Sequence, residues 1–297
     1  EVARRCSNLQ TLHLGGCRRI TDASVLEVAR RCSNLQTLSL RFCRNITSAC
    51  KKALARSGSE SVFTIALSGG SLPAQLGTLS ESFDKAGVNP QWDKWYVLLA
   101  DERCVPSSDG DSNLGAIRTS FLDKVGIPED QVYGIDESLL SDANDSTEKI
   151  AVAYEAIVDT VLARSGGALD LAVLGFGPDG HTCSLFPDHP LLSETERQVA
   201  PILDSPKPPP KRITLTFPVL NERTGSIIFC GAGKSKGPIL RAVLADVAEA
   251  TETTAGAIAP RMVTYADPPP YPCGMVRPKS LNLTWVVDAD AVEELGL

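Results

Sequence analysis

Leu169-Asp170-Leu171-Ala172-Val173-Leu174 runs straight into Gly175-Phe176-Gly177-Pro178-Asp179-Gly180-His181-Thr182-Cys183-Ser184-Leu185-Phe186-Pro187. The first part is an apolar run of strand length; the second is rich in glycine and proline and carries an Asp two residues before a His. A buried strand that opens into a polar turn is the signature of a strand's carboxyl end in an α/β protein. The same texture recurs from Ser61 onward. Val62–Leu67, Trp95–Ala100, Ile213–Thr216, Ser226–Cys230 and Leu283–Val287 read as further strands, and helical patterns lie between them at about 112–124, 147–164 and 236–249. Strands alternating with helices predict a parallel sheet covered on both faces. In such folds ligands bind beyond the carboxyl ends of the strands, and the unusual residues of this chain cluster at those ends.

After the first of these strands come Ser68-Gly69-Gly70-Ser71-Leu72-Pro73. Two glycines let the backbone approach a ligand, and Pro73 suits a first helical turn. The loop reads either as a phosphate cradle or as an ordinary strand-to-helix turn. After the second strand come Asp101-Glu102-Arg103, too polar for a core, with Arg103 able to pair bidentately with a phosphate. Asp111-Ser112-Asn113 reads as a helix start, with Asn113 able to face the same cleft. Gly175 to Gly180 spells the dinucleotide pattern Gly-x-Gly-x-x-Gly, but the acidic residue expected about 20 positions on, at the end of a second strand, is absent. Pro178 and His181 suit a catalytic turn better, with His181 as a general base near neutral pH and Asp179 either its orienting partner or a turn residue. Gly231-Ala232-Gly233-Lys234-Ser235 imitates the end of a nucleotide P-loop, but Ile228 stands where that motif needs its first glycine. Lys234 remains a candidate cation for an anionic ligand, and Lys211-Arg212 adds positive charge after the run Pro206 to Pro210.

The N-terminus is of another kind. Glu1–Leu12 and Glu27–Leu38 are the same twelve residues, EVARRCSNLQTL, displaced by 26 positions. With Leu14 and Leu40 completing each unit and Cys17 and Cys43 at the turns, the stretch resembles cysteine-containing leucine-rich repeats. About two units are present, fewer than the roughly three that such repeats usually need to bury their apolar faces. The segment is therefore expected to be a protein-binding surface or a misjoined fragment, packing poorly on the α/β portion of the chain. The other cysteines are scattered, with no Cys-x-x-Cys pair, which predicts reduced thiols in a cytoplasmic protein and no zinc site. A net charge of −7 argues against nucleic acid as the main partner. No apolar run approaches the roughly 20 residues needed to span a bilayer, and no signal-peptide pattern opens the chain.

The order LSGGSLP, DERCVP, DSN, GFGPDGHTCSLFP, PKRITLT and GAGKSK, over about residues 60–297, closely resembles the 6-phosphogluconolactonases. That resemblance implies the sugar-phosphate isomerase fold, a modified doubly wound parallel sheet, here preceded by the repeat fragment (residues 1–50, then 51–297). It implies hydrolysis of 6-phospho-D-glucono-1,5-lactone to 6-phosphogluconate, the second step of the oxidative pentose phosphate pathway, without metal or cofactor. Ser68, Gly69, Gly70, Ser71, Asp101, Arg103, Asn113 and Lys234 are then expected to bind the substrate and its phosphate. His181, Asp179 and Arg212 are expected to be catalytic, Arg212 by stabilising the carbonyl oxygen. The related glucosamine-6-phosphate deaminases share the fold but end the histidine motif in Phe-Asn-Glu-Pro, where this chain has Thr182-Cys183-Ser184-Leu185-Phe186-Pro187. Two departures stand out. Leu72 replaces a common Thr, and the repeats occupy the place of the family's first strand, with part of a helix expected to survive in Ala49–Ser57. A deaminase, or a repeat protein with an inactive enzyme domain, are the alternatives.

Overall fold

The computed structural model describes residues 39–56, 61–141, 146–244, 246–247 and 263–292. The repeat reading of residues 1–38, and the protein partner it suggested, lie outside them. Five strands form a parallel sheet: β1 (Phe63–Leu67), β2 (Trp95–Leu99), β4 (Leu171–Gly175), β7 (Ile227–Gly231) and β10 (Leu283–Val287), in the order β10-β7-β4-β1-β2. Every residue of β1 is buried, as expected for a strand covered on both faces. The chain runs from β1 outward to β2 and then crosses to β4 on the other side of β1. The switch point therefore lies between β1 and β4, where α/β sheets open a crevice for ligands.

The strand starting at Ile213 departs from expectation. Arg212–Leu215 (β6) leaves the parallel sheet and pairs antiparallel with both Asp101–Arg103 (β3) and Val199–Ile202 (β5). The reason is local. Only Ala100 separates β3 from β2, and the kink there carries Asp101–Arg103 out of the parallel sheet, where their backbone pairs with β6. Asp101 and Glu102 are only 5% and 1% exposed, against the reading of this stretch as too polar for a core. Glu102 is accommodated because it accepts hydrogen bonds from the backbone N–H of Arg103, Asn113 and Leu114 and from Ser112 Oγ. It thereby caps the helix α4 (Asn113–Ser120), where the helix dipole favours a carboxylate.

The helix before β1 is longer than expected, and it is part of the core. α1 (Ser39–Leu54) buries Phe42, Cys43, Ile46, Cys50 and Ala53, a spacing of three to four residues that lays one apolar stripe inward. It packs on α3 (Leu79–Ala86), β1 and β7. Arg56 anchors its end, pairing with Asp170 at 2.8 Å, while Asp170 also accepts from the Thr64 backbone N–H at 2.9 Å. A boundary at residue 50 would cut this helix, and the expectation of poor packing does not hold for residues 42–50. On another side α5 (Ser146–Arg164) covers the sheet, its buried Tyr154 hydroxyl accepting from the Leu99 N–H at 2.7 Å. Short elements complete the fold: α2 (Leu72–Leu76), α6 (Gly237–Val243), the strand pair β8 (Asp246–Val247) and β9 (Val263–Thr264), α7 (Pro272–Met275) and α8 (Ala289–Val292).

Candidate active site

The loops that follow β1, β4 and β7 converge with the start of β3 on one cavity. It is lined by Ser68 to Leu72, Asp101, Arg103, Asn113, Gly175 to Pro178, His181, Cys183, Arg212, Cys230 and Lys236. Nine of the residues expected from the sequence meet here: Ser68, Gly69, Gly70, Ser71, Asp101, Arg103, Asn113, His181 and Arg212. Asp179 lies just behind the wall, in contact with His181. Lys234 does not line the cavity; Lys236 does. The two bracket a single 3₁₀ turn, and residues two apart on such a turn leave it in different directions.

One end of the cavity gathers groups with the chemistry to take an anion. The loop after β1 is tied to the sheet by the Ser68 N–H donating to Val173 O at 3.0 Å. Ser68 is 4% exposed, and among the described residues neither its Oγ nor the buried Nε of Arg103 has a hydrogen-bond partner. Buried polar atoms left unsatisfied cost about 1–3 kcal/mol each, so two at one cavity mark a place where a ligand supplies the missing bonds. Arg103 is held from behind by an Nη1 bond to Asp111 O. Asn113 donates to Asp101 O at 2.8 Å and lies so close to the loop that a Cβ at Gly69 would fall 1.7 Å from its Oδ1. No residue but glycine fits at position 69 without displacing Asn113. Lys236 reaches in from beyond β7, donating to Phe176 O and lying 5.1 Å from the centre of the Phe176 ring. Leu72 is buried at the start of α2.

At the other end stands the glycine-rich turn after β4. Gly180, at φ 79°, lets the chain reverse, and the Gly177 N–H closes the turn on His181 O at 2.9 Å. The His181 ring stacks on Phe186, centroids 5.0 Å apart. Its Nδ1 is 2.5 Å from Asp179 Oδ1. Burial pushes the Asp179 carboxyl up, but hydrogen bonds from His181 and Lys207 outweigh it and hold the group down at about 2. An ionised carboxylate only accepts, so Nδ1 carries the proton and Nε2 keeps its lone pair. Nε2 has no partner among the described residues. Burial pulls the imidazole below its ordinary range, against the pull of Asp179 the other way, so the ring is neutral at pH 7.

Two basic neighbours complete the surroundings of His181. Arg212 is 3% exposed and spends most of its donors on the turn before it. Nε bonds Pro209 O at 2.9 Å, Nη2 bonds Lys207 O at 2.8 Å and Pro208 O at 3.0 Å, and Nη1 has only a 3.5 Å contact to Ser184 Oγ. Lys207, passed over within the proline run, places its ammonium 2.9 Å from Asp179 Oδ2 and 3.0 Å from His181 Nδ1. Asp101 accepts from Ser184 Oγ at 2.8 Å. Among the described residues no three His, Cys, Asp or Glu side chains gather to hold a metal ion.

A sequence model for glucosamine-6-phosphate isomerases/6-phosphogluconolactonase matches residues 33–285. The chain belongs to this family. It is 38% identical to the 6-phosphogluconolactonase of Rattus norvegicus over 249 residues, 83% of this chain and 86% of that one. It is 43% identical to 6-phosphogluconolactonase 3 of Saccharomyces cerevisiae over 188 residues, 62% of this chain and 72% of the relative. The crystal structure of 6-phosphogluconolactonase from Thermotoga maritima superposes with a TM-score of 0.63 at 26% identity, covering 85% of this chain and 96% of that one. The family match begins at residue 33, so it takes in α1 together with the sheet. In and beside this cavity, the residues missed from sequence were Lys207 and Lys236. Both lay in motifs already singled out, the proline run and GAGKSK, but which lysine turns inward depends on the phase of a turn.

Proposed function

We propose that this chain hydrolyses 6-phospho-D-glucono-1,5-lactone to 6-phosphogluconate, the activity by which its relatives are named, with His181 as general base. The observation that carries the reading is one cavity holding both an unsatisfied anion-binding end and a neutral imidazole whose Nε2 is unpartnered. The phosphate sits on the backbone amides and hydroxyls of Ser68–Ser71, with Arg103 and Lys236 supplying charge. α2 is only five residues long, so the loop amides matter more than a helix dipole. Lys234 is replaced in this role by Lys236. Asn113 and Asp101 border the same cavity and bind the sugar.

With the phosphate anchored, the lactone carbonyl lies toward His181. Nε2 takes a proton from water as the water oxygen bonds to C1, and Asp179, bonded to Nδ1, stabilises the imidazolium that forms. Negative charge builds on the carbonyl oxygen in the positive field of Arg212, which borders the cavity. The tetrahedral intermediate then collapses: the C1–O bond to the ring oxygen breaks, and the imidazolium delivers its proton to that oxygen. The balance is one water consumed and one ring opened. A lactone is an activated ester, and these steps use only groups of this chain.

A cytoplasmic location belongs to the same reading. It is supported by the absence of disulfides among the six described cysteines, the pattern of a reducing compartment. The test is turnover of the lactone by the purified chain against a no-enzyme blank, beside an assay for ammonia release from glucosamine-6-phosphate. Lactone turnover without ammonia is the expected result; ammonia release would favour the deaminase, and neither activity would favour an inactive domain.

A further inference from the structure

A carboxylate 2.5 Å from Nδ1 poses a problem for a base. Acting alone it stabilises the imidazolium, and an imidazole already protonated at neutral pH takes no proton from water. The structure places a cation on the same pair. We propose that Lys207 is a positioning residue for His181: its ammonium, fixed over the Asp179–His181 pair by a turn that Arg212 clamps, holds Asp179 on Nδ1 and adds to the burial of the ring in opposing the imidazolium. The proposal rests on the reading of His181 as the base.

Three distances define the arrangement. Asp179 Oδ1 is 2.5 Å from Nδ1, Lys207 Nζ is 2.9 Å from Asp179 Oδ2, and Nζ is 3.0 Å from Nδ1. Because Nδ1 carries its proton toward Oδ1, it cannot also accept from the ammonium, so the 3.0 Å approach is a contact between a cation and a ring that must become cationic. Lys207 therefore works in two ways. Its hydrogen bond to Oδ2 pins the carboxylate so that Oδ1 stays on Nδ1, which leaves Nε2 as the basic nitrogen. Its charge opposes the imidazolium, and the same opposition makes that imidazolium a readier acid when the ring oxygen leaves.

The turn is built to hold this lysine still. Besides the bonds from Arg212 to the carbonyls of Lys207, Pro208 and Pro209, Ser205 Oγ donates to Lys207 O at 2.9 Å and the Lys207 N–H donates back to Ser205 Oγ at 3.2 Å. A buried guanidinium spent on carbonyl oxygens is costly unless their placement matters. Lys207 does not line the cavity, so it acts through the imidazole and not on substrate. Other charged groups face His181: Asp101 from β3, which favours the imidazolium, with Arg103, Arg212 and Lys236 around the cavity. Among the described residues only Asp179 and Lys207 form polar contacts with the ring.

The chain has three histidines, so ring-proton NMR follows each one, and His181→Gln assigns the signal. In Lys207→Met the His181 midpoint should rise by about one pH unit, the scale of one nearby charge, and the acid limb of kcat/KM should rise with it. Lys207→Arg, which keeps the charge, should titrate near the native value. Lys207→Gln is run in parallel, so that one misfolded variant does not decide the matter. A midpoint that does not move in the neutral variants, or that moves equally in Lys207→Arg, overturns the proposal. A native chain with no lactone turnover fails the lactonase reading and the proposal with it, whereas turnover with an unmoved midpoint fails the proposal alone.

Discussion

At the scale of single residues the proposed mechanism divides the site into groups that hold substrate and groups that move protons, and kinetics separate them. His181→Ala should lower kcat by roughly 10²–10⁴, the usual worth of a general base, while an inert phosphate ligand still binds, because the Ser68–Ser71 loop and Arg103 are untouched. Near-native kcat above the blank would remove His181 from the role. Arg103→Ala should do the reverse, raising KM by an amount worth about 2–3 kcal/mol of a charged hydrogen-bonded pair and sparing kcat; unchanged KM would take Arg103 out of the phosphate site. The imidazole also sets a pH dependence. Its folded value lies below the ordinary one, so the unfolded chain binds this proton first as pH falls. Stability contributed by neutral His181 is complete above about 6.5 and is lost as pH drops from there through the folded value. The acid limb of kcat/KM should accordingly lie below about 6.5, and a limb above it would contradict the neutral ring. From sequence, His181 was legible because a His in a glycine turn after a strand has few structural uses. Lys207 was not, since a lysine among prolines reads equally well as a solvated side chain on a rigid loop.

Among elements, α1 carries the sharpest expectation. Ile46, on α1, is fully buried, so Ile46→Ala should cost about 2–5 kcal/mol through lost burial and a cavity. A thermal melt reads this directly, and a melting temperature equal to the native one would mean that α1 does not pack as described. The loop after β1 is a second case. A Cβ at position 69 meets Asn113 Oδ1 at 1.7 Å, so Gly69→Ala must push Asn113 or the loop aside. It should weaken phosphate-ligand binding and raise KM, with a much smaller loss of melting temperature than Ile46→Ala. The strands of the parallel sheet were legible within a residue or two from their apolar runs, Leu283–Val287 to the residue. The pairing of Arg212–Leu215 was not, because its alternation suits either sheet and its partner Asp101–Arg103 looked like a polar turn. Periodicity tells a strand from a helix but is silent on which strand lies beside it.

For the whole molecule the question is where the enzyme begins. Every site residue lies at Ser68 or later, and the first described core side chain is Phe42. Deleting residues 1–38 should leave kcat and KM unchanged, whereas deleting 1–56 should lower the melting temperature sharply, because it strips α1 from the sheet and Arg56 from Asp170. Altered kinetics in the shorter deletion would show that the repeated segment serves the active site. The division between what was readable in advance and what was not obeys one physical line. Local sequence by itself determined the alternation of strand and helix, the glycine turns at strand ends and the family motifs, because these depend on backbone sterics and on apolar patterning within a few residues. Only the tertiary structure decided that Ser39–Leu54 joins the core and that Lys236 rather than Lys234 faces the cavity. It alone placed Lys207, 26 residues from His181 in sequence, 3.0 Å from its ring. Those outcomes depend on how separate turns meet in space, and the energy that selects them resides in contacts between residues far apart in the chain.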